Sequence, residues 1–198
     1  MNMKQYQAKL VNLLKEIFVD EYVEGEWDSL KYDSHGSNHK SIYGPRSDIA
    51  VSPFNGSFEL DIGLDNTDVM KNHPLTKRIV EEIAWDEADF NKCWNNFSRC
   101  YLAIEIELSG SRKSSNSLKH ILGSIINASV TGSIGIVVTD KNTKNKVDRL
   151  YYYLVRLKGL KRIQINTLDN LIRIDKDDFL KIISEVKETL TDRQTPNK

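Results

Sequence analysis

The sequence predicts a single α/β domain built on a mixed sheet. Three observations carry that prediction. Strand-like runs alternate with helical stripes in the second half of the chain, 198 residues fall within the size of one domain, and an apolar fraction of 39% suffices to close one core. Alternating strands and helices argue for at least one parallel strand pair, with a helix as the crossover. The domain is expected over residues 1–190, followed by a disordered tail, TDRQTPNK, at 191–198.

Tyr6, Leu10, Leu13, Leu14, Ile17 and Phe18 recur at spacings of three and four, which predicts an amphipathic helix over about residues 3 to 20. Residues 33–45, DSHGSNHKSIYGP, read as a loop. A strand follows at Ser47–Val51, stopped by Pro53 and Asn55-Gly56. Phe58, Leu60 and Ile62 then alternate with polar residues, which suggests a hairpin. Residues 74–98 carry Leu75, Ile79, Val80, Ile83, Phe90 and Trp94 at helical spacing, with Pro74 suited to a first turn. Tyr101–Leu108 is a strand that places Leu102, Ile104, Ile106 and Leu108 on one face and Ala103, Glu105 and Glu107 on the other. The stripe Leu118, Ile121, Leu122, Ile125, Ile126 predicts a helix to about Val130, ended by Gly132, and SIGIVVT at 133–139 reads as a buried strand. A helix at about 145–157, a short strand at Arg162–Ile165 and a last helix at about 176–190 complete the chain.

Lys and Arg total 28, as do Asp and Glu, so no global field announces a polyanionic partner and any such site must be local. Cys93 and Cys100 form no framework of spacings and read as buried thiols of a reducing compartment. The N-terminus has neither an uninterrupted apolar run nor a cleavage site, so a cytoplasmic chain without a membrane partner is expected. Gly110, Gly123, Gly132 and Gly135 assemble into neither a phosphate loop nor GxGxxG, which argues against a nucleotide cofactor. His35 and His39 lie in loop composition and read as surface or substrate-contacting histidines rather than zinc ligands, while Trp27, Trp85 and Trp94 read as packing residues.

The chemistry concentrates in carboxylates. Glu105 and Glu107 project side by side about 7 Å apart along one strand, and alone such a run is more often a solvated strand face. Its setting changes the reading. Asp48 opens one strand, the acid pair lies on a later one, and a helix and a strand follow. This order resembles the restriction-endonuclease-like PD-(D/E)XK nuclease superfamily over roughly residues 3 to 140. Pro45-Arg46-Ser47-Asp48 matches the first element. Glu105-Ile106-Glu107 matches the acid of the second but carries glutamate where lysine is usual, as some members do. The long gap between Asp48 and Glu105 requires residues 57–98 as an insertion.

The resemblance implies an αβββαβ core with a helical insertion and C-terminal helices. It implies a Mg²⁺-dependent endonuclease acting on DNA, of the small restriction or phage-defence kind, working as a homodimer because a double-strand break needs two centres. Mg²⁺ suits hard oxygen ligands and would lower the pKa of an attacking water while offsetting charge on the phosphorus. By the same resemblance Asp48, Glu105 and the Ile106 carbonyl are metal ligands, and Glu107 activates water or holds a second cation. A further acid from the first helix is assigned to Glu16, with Asp20 and Glu21 as competitors. Lys119, then Lys113, are the candidates for the displaced cation.

Lys141, Lys144, Lys146, Arg149, Arg156, Lys158, Lys161 and Arg162 fall in a stretch whose one acid is Asp148. That stretch reads equally as a phosphate-contacting surface and as the solvated side of a helix buried through Tyr151, Leu154, Val155 and Leu157. Two rival functions stand beside the nuclease: a non-catalytic nucleic-acid- or partner-binding module on the same fold, and a scaffold or inhibitor whose acids face solvent.

Overall fold

The first helix begins where Asn2 and Gln5 cap each other reciprocally. The Gln5 amide donates to Asn2 Oδ1 and the Asn2 amide to Gln5 Oε1, both at 3.0 Å, which satisfies two amide donors at the helix start. The structure, a computed structural model, describes residues 1–18, 23–28, 46–53, 70–82, 93–95, 98–109, 118–161 and 168–194.

In chain order the elements are α1 (Met3–Ile17), β1 (Val23–Asp28), β2 (Arg46–Pro53), α2 (Pro74–Glu82), β3 (Cys100–Glu107), α3 (Leu118–Thr131), β4 (Gly132–Thr139), α4 (Lys144–Gly159), β5 (Leu171–Asp175) and α5 (Lys176–Gln194). The fold is mixed α/β, as expected. Five strands form one sheet in the order β1-β2-β3-β4-β5; β1, β2 and β3 are antiparallel neighbours, while β3, β4 and β5 run parallel. The parallel pair β3–β4 is connected through α3, and β4–β5 through α4.

One face of the sheet is closed by α1, α2 and α5. Leu102, Ile104, Ile106, Ile136, Val138, Ile172 and Ile174 meet Tyr6, Leu10 and Leu14 of α1, Leu75 and Ile79 of α2, and Phe179, Ile182 and Ile183 of α5. The opposite face is closed by α3 and α4, whose Ile121, Ile125, Ala128, Val147 and Leu154 pack on Val137 and Leu171. Coverage on both faces explains why every residue of β4 is buried, as its unbroken apolar run predicts.

Several boundaries differ from the sequence reading. Two strands were not anticipated. VEGEWD in β1 lacks clean alternation because it is an edge strand with Glu26 at a positive φ of 52°. LIRID in β5 abuts a helix without a turn signal. The partners of β2 are β1 and β3; the expected hairpin partner 57–62 and the expected strand 162–165 lie outside the described residues. The last helix continues to Gln194, so the first half of the expected tail is helical.

Candidate functional site

The carboxylates predicted from sequence meet at one end of the sheet. Gly25↔Ile49 and Trp27↔Ser47 bracket Glu26 opposite Asp48, and Ile49↔Ile104 brings Asp48 and Glu105 to successive antiparallel positions. The row continues through Val137 and Arg173. Paired β2–β3 positions stop at Ile49↔Ile104. Beyond that point the Ile106 amide donates to Asp48 Oδ2 at 2.7 Å, so a side chain replaces the next backbone acceptor. The N–H and C=O of one strand residue point to the same side, which places the Ile106 carbonyl on the β2 side as well.

Glu105 and Glu107 are not a solvated strand face. They are 5% and 2% exposed, beneath the first turns of α3. Ser124 Oγ donates to Glu107 Oε1 at 2.6 Å, and His120 Nδ1 lies 3.0 Å from the same oxygen. Among the described residues Glu105 Oε1 is buried without a hydrogen-bond partner, an arrangement that costs free energy unless something else satisfies it.

The electrostatics follow from this crowding. Burial pushes Asp48 up to about 6; the Ile106 amide and His120 favour its ionised form, while Glu26 and Glu107 oppose it. Glu105 is pushed far above the usual carboxylate range, first by burial and then by Asp48 and Glu107, against the Ser124 hydroxyl. Burial also raises Glu107, with Ser124 and His120 working the other way. Groups that destabilise one another's charge are the kind a cation would stabilise, and perturbed carboxyls gathered in one place mark a functional candidate.

Two further contacts frame the group. Gln7 Nε2 of α1 donates to the Asp48 carbonyl at 2.9 Å and to Glu26 Oε1 at 3.0 Å, tying the strained Glu26 to the neighbouring strand. Asp140, just beyond β4, accepts from the Ser109, Asn142 and Thr143 amides, and Thr143 Oγ1 donates to the Glu107 carbonyl at 2.5 Å. The ends of β3 and β4 are therefore pinned together beside the carboxylates.

Of the residues expected from sequence, Asp48, Glu105, Ile106 and Glu107 are brought together. Glu16 is not. Its carboxylate pairs with Lys187 of α5, and it lies nine residues past Gln7, about 14 Å along the helix. Lys119 is exposed at the start of α3, and the contact to Glu107 is made by its neighbour His120. Lys113, His35, His39, Asp20, Glu21, Trp85 and Arg162 lie outside the described residues. Trp27 and Trp94 are buried, as expected of packing residues, and among the described residues neither Cys93 nor Cys100 is in a disulfide, Cys100 being buried.

Sequence reasoning missed Gln7, Glu26 and Ser124, and it favoured Lys119 without assigning a role to His120. A signal for Ser124 exists. It shares the inward face of α3 with Ile121, Ile125 and Ala128, and a hydroxyl on such a face calls for a polar partner on the strand below.

The donor chemistry, hard carboxylate oxygens with one buried orphan, fits Mg²⁺. Among the described residues, however, no group of three or more His, Cys, Asp or Glu is gathered to hold a metal ion. The fit therefore rests on two carboxylates and a carbonyl. Two protein carboxylates are within what Mg²⁺ commonly uses, since it keeps several waters. Among the same residues no helix is long and apolar enough to cross a membrane. No protein-family model, curated protein or solved structure matches this chain.

Proposed function

We propose that this protein is a Mg²⁺-dependent endonuclease that hydrolyses DNA phosphodiester bonds, a restriction or phage-defence enzyme of the PD-(D/E)XK kind. The observation that carries the reading is the placement of Asp48 against the Glu105-Ile106-Glu107 segment at the end of two adjacent strands. The element order adds support: a helix, three antiparallel strands, a helix and a parallel strand, in that order with α2 inserted before β3, is the order expected of a restriction-endonuclease-like core.

In this reading Asp48, Glu105 and the Ile106 carbonyl hold the Mg²⁺. When bound, that ion acidifies water and offsets charge on the phosphorus. Asp48 is oriented by the Ile106 amide, and Glu105 contributes its unpartnered oxygen. Glu107, held by Ser124 and His120, accepts a proton from the water whose oxygen bonds to phosphorus as the bond to the leaving oxygen breaks; solvent protonates that oxygen. Lys119 or Lys113 supplies positive charge near the diester. A homodimer would supply the second centre for a double-strand break. Action in the cytoplasm belongs to the same proposal and suits Cys93 and Cys100, which form no disulfide among the described residues.

The second reading, a binding module that keeps this fold without catalysis, is favoured by Glu107 in place of lysine and by the absence of a three-ligand group among the described residues. The purified protein incubated with supercoiled plasmid and phage DNA, with Mg²⁺ or with EDTA, separates the two. Discrete fragments that require Mg²⁺ and vanish in Asp48→Ala and Glu105→Gln identify the nuclease. DNA retarded in a gel but intact in every condition identifies the binding module.

A further inference from the structure

Helix α4 turns one side to the core and the other to solvent, and the two sides differ in more than polarity. Val147 and Leu154 are buried against α3 and β5, with Leu150 and Tyr151 packed around them. On the outward side Lys146, Arg149, Tyr153, Arg156 and Leu160 follow one another at intervals of three, four, three and four, a continuous stripe, with Tyr152 beside it. All six are exposed, and Tyr152 and Tyr153 are 62% and 58% accessible.

Among the described residues no acid neutralises this stripe. The one acid in the helix, Asp148, is engaged by Arg173 at 2.5 Å, and Lys158 is engaged by Asp169. Lys146, Arg149 and Arg156 make no ion pair among the described residues. In a chain whose formal charge sums to zero, that is a local segregation of cations. Each tyrosine stands three or four residues from both Arg149 and Arg156, so the rings sit between guanidinium groups on the same face.

Tyr152 is also held in place. Its ring meets Tyr151 edge-on at 5.7 Å, and the Arg173 guanidinium lies 5.1 Å from its centre. Asp148 fixes that guanidinium in turn. An aromatic ring immobilised while largely exposed loses little freedom when a partner stacks on it.

We propose that the outward face of α4 docks an unpaired strand of DNA, with phosphates on Lys146, Arg149 and Arg156 and bases stacked on Tyr152 and Tyr153. Cations alone would suit any polyanion. Cations interleaved with exposed rings suit a polyanion whose bases are free to stack, which is the chemistry of single-strand binding. The position is also apt. α4 begins at the end of β4, where Thr143 bonds the Glu107 carbonyl, so a strand lying along the helix runs towards the carboxylates. The preference for an unpaired strand comes from the helix surface; the choice of DNA over RNA rests on the nuclease reading.

The test measures anisotropy of a labelled oligothymidine strand, a DNA duplex of the same length and an oligouridine strand with the full chain in EDTA, across a range of salt. The expected result is tighter binding of the DNA strand than of the other two. Tyr152→Ala with Tyr153→Ala should weaken it about tenfold or more, while Phe at both positions retains it. Arg149→Ala with Arg156→Ala should weaken binding and reduce the salt slope by about 1.4, two phosphates for a single strand. Equal or tighter binding of duplex, preference for RNA, no binding by the wild type, or unchanged binding by the Ala variants each overturns the proposal. Cleavage in Mg²⁺ is scored separately. A wild type that binds through α4 but cuts nothing retains this inference and loses the nuclease, and cleavage by a protein whose α4 variants bind normally does the reverse.

Discussion

Asp48 Oδ2 accepts the Ile106 amide at 2.7 Å, so the first acid of the site also closes the gap where β2 and β3 cease to pair. The carboxylate thus has a structural task beside the chemical one proposed for it, and substitutions can separate them. Asp48→Ala removes the acceptor and leaves a partly buried N–H unpaired, at a cost of about 1–3 kcal/mol. Asp48→Asn keeps an acceptor and removes a charge that Glu26, Glu107 and burial all oppose. Urea unfolding near neutral pH should find Asn close to wild type and Ala clearly weaker, with both inactive on DNA in Mg²⁺. Equal destabilisation by the two variants would show that the amide bond contributes little.

The pH dependence of stability has a definite sign. Glu105 has a folded-state pKa above its unfolded value, so the native state holds more protons through that window and stability falls as pH rises. Asp48 contributes in the same direction below about 6. His73 works against it between about 4 and 6.5, because burial depresses its pKa and folding there releases a proton. Asp140, whose pKa is lowered, matters only in more acidic solution. Glu107, also raised by burial, contributes with the same sign as Glu105, so above about pH 6.5, beyond Asp48 and His73, the share due to Glu105 is read by comparison with Glu105→Gln. In EDTA the wild-type Tm should decline from about pH 6.5 to 8 more steeply than that of Glu105→Gln, which cannot ionise; about 3 °C per kcal/mol is the expected scale for a chain of this size. Parallel curves would mean that Glu105 is not the group responsible.

A divalent cation should reverse that decline. Mg²⁺ or Ca²⁺ bound to the native carboxylates stabilises by mass action, about 2.7 kcal/mol when the free ion is at 100 times its Kd. Differential scanning calorimetry at about pH 8 should show a Tm that rises with Mg²⁺ in the wild type. In Glu105→Gln and Asp48→Asn the response should be small. A rise of equal size in all three proteins would place the cation elsewhere.

Ser124 provides a test of how Glu107 is held. Its hydroxyl reaches Glu107 Oε1 at 2.6 Å in a buried setting, and Ser124→Ala leaves His120 as the remaining contact shown on that oxygen. The expected cost is about 1–3 kcal/mol in urea unfolding near neutral pH, together with slower cleavage. His120→Ala, at a side chain 50% exposed, should cost less stability than Ser124→Ala. The opposite ranking would make His120 the principal support of Glu107.

Much of the fold was legible because its elements are strongly patterned. Leu102, Ile104 and Ile106 share one buried face, as their alternation predicts, and of the predicted stripe Ile121 and Ile125 are fully buried against the sheet while Leu118 is exposed. β1 was not legible, because Gly25, the positive-φ Glu26 and its edge position remove the alternation that marks a strand. The same gap concealed part of the site. Glu26 enters through β1, and Gln7 reaches Asp48 from an α1 face otherwise read only for its apolar residues. Asp48 and Glu105 were legible as candidates because a charge within or beside an apolar strand stands out. That His120 rather than Lys119 meets Glu107 depends on the rotation of α3, which spacing fixes only to within a residue.

The seat of that helix is constrained by a glycine of β4, Gly135, which supplies the last prediction. A Cβ on Gly135 would lie 2.6 Å from the backbone of Ala128 and 2.9 Å from Ser129 N, so α3 rests directly on the strand. Gly132 is closed by the sheet itself and not by α3, with Ala103 N of β3 at 2.8 Å. Gly135→Ala must therefore lift α3 from the sheet or distort β4, and overpacking of this kind typically costs about 1–3 kcal/mol. α3 carries His120 and Ser124, so the displacement should also loosen their hold on Glu107 and slow cleavage in Mg²⁺ beyond what the stability loss explains. Gly123→Ala, on the same helix with open space around it, is the control. It should be neutral or stabilising, by up to about 1 kcal/mol from helix propensity. If Gly135→Ala matched Gly123→Ala in both unfolding and cleavage, α3 would not be seated on the sheet as described.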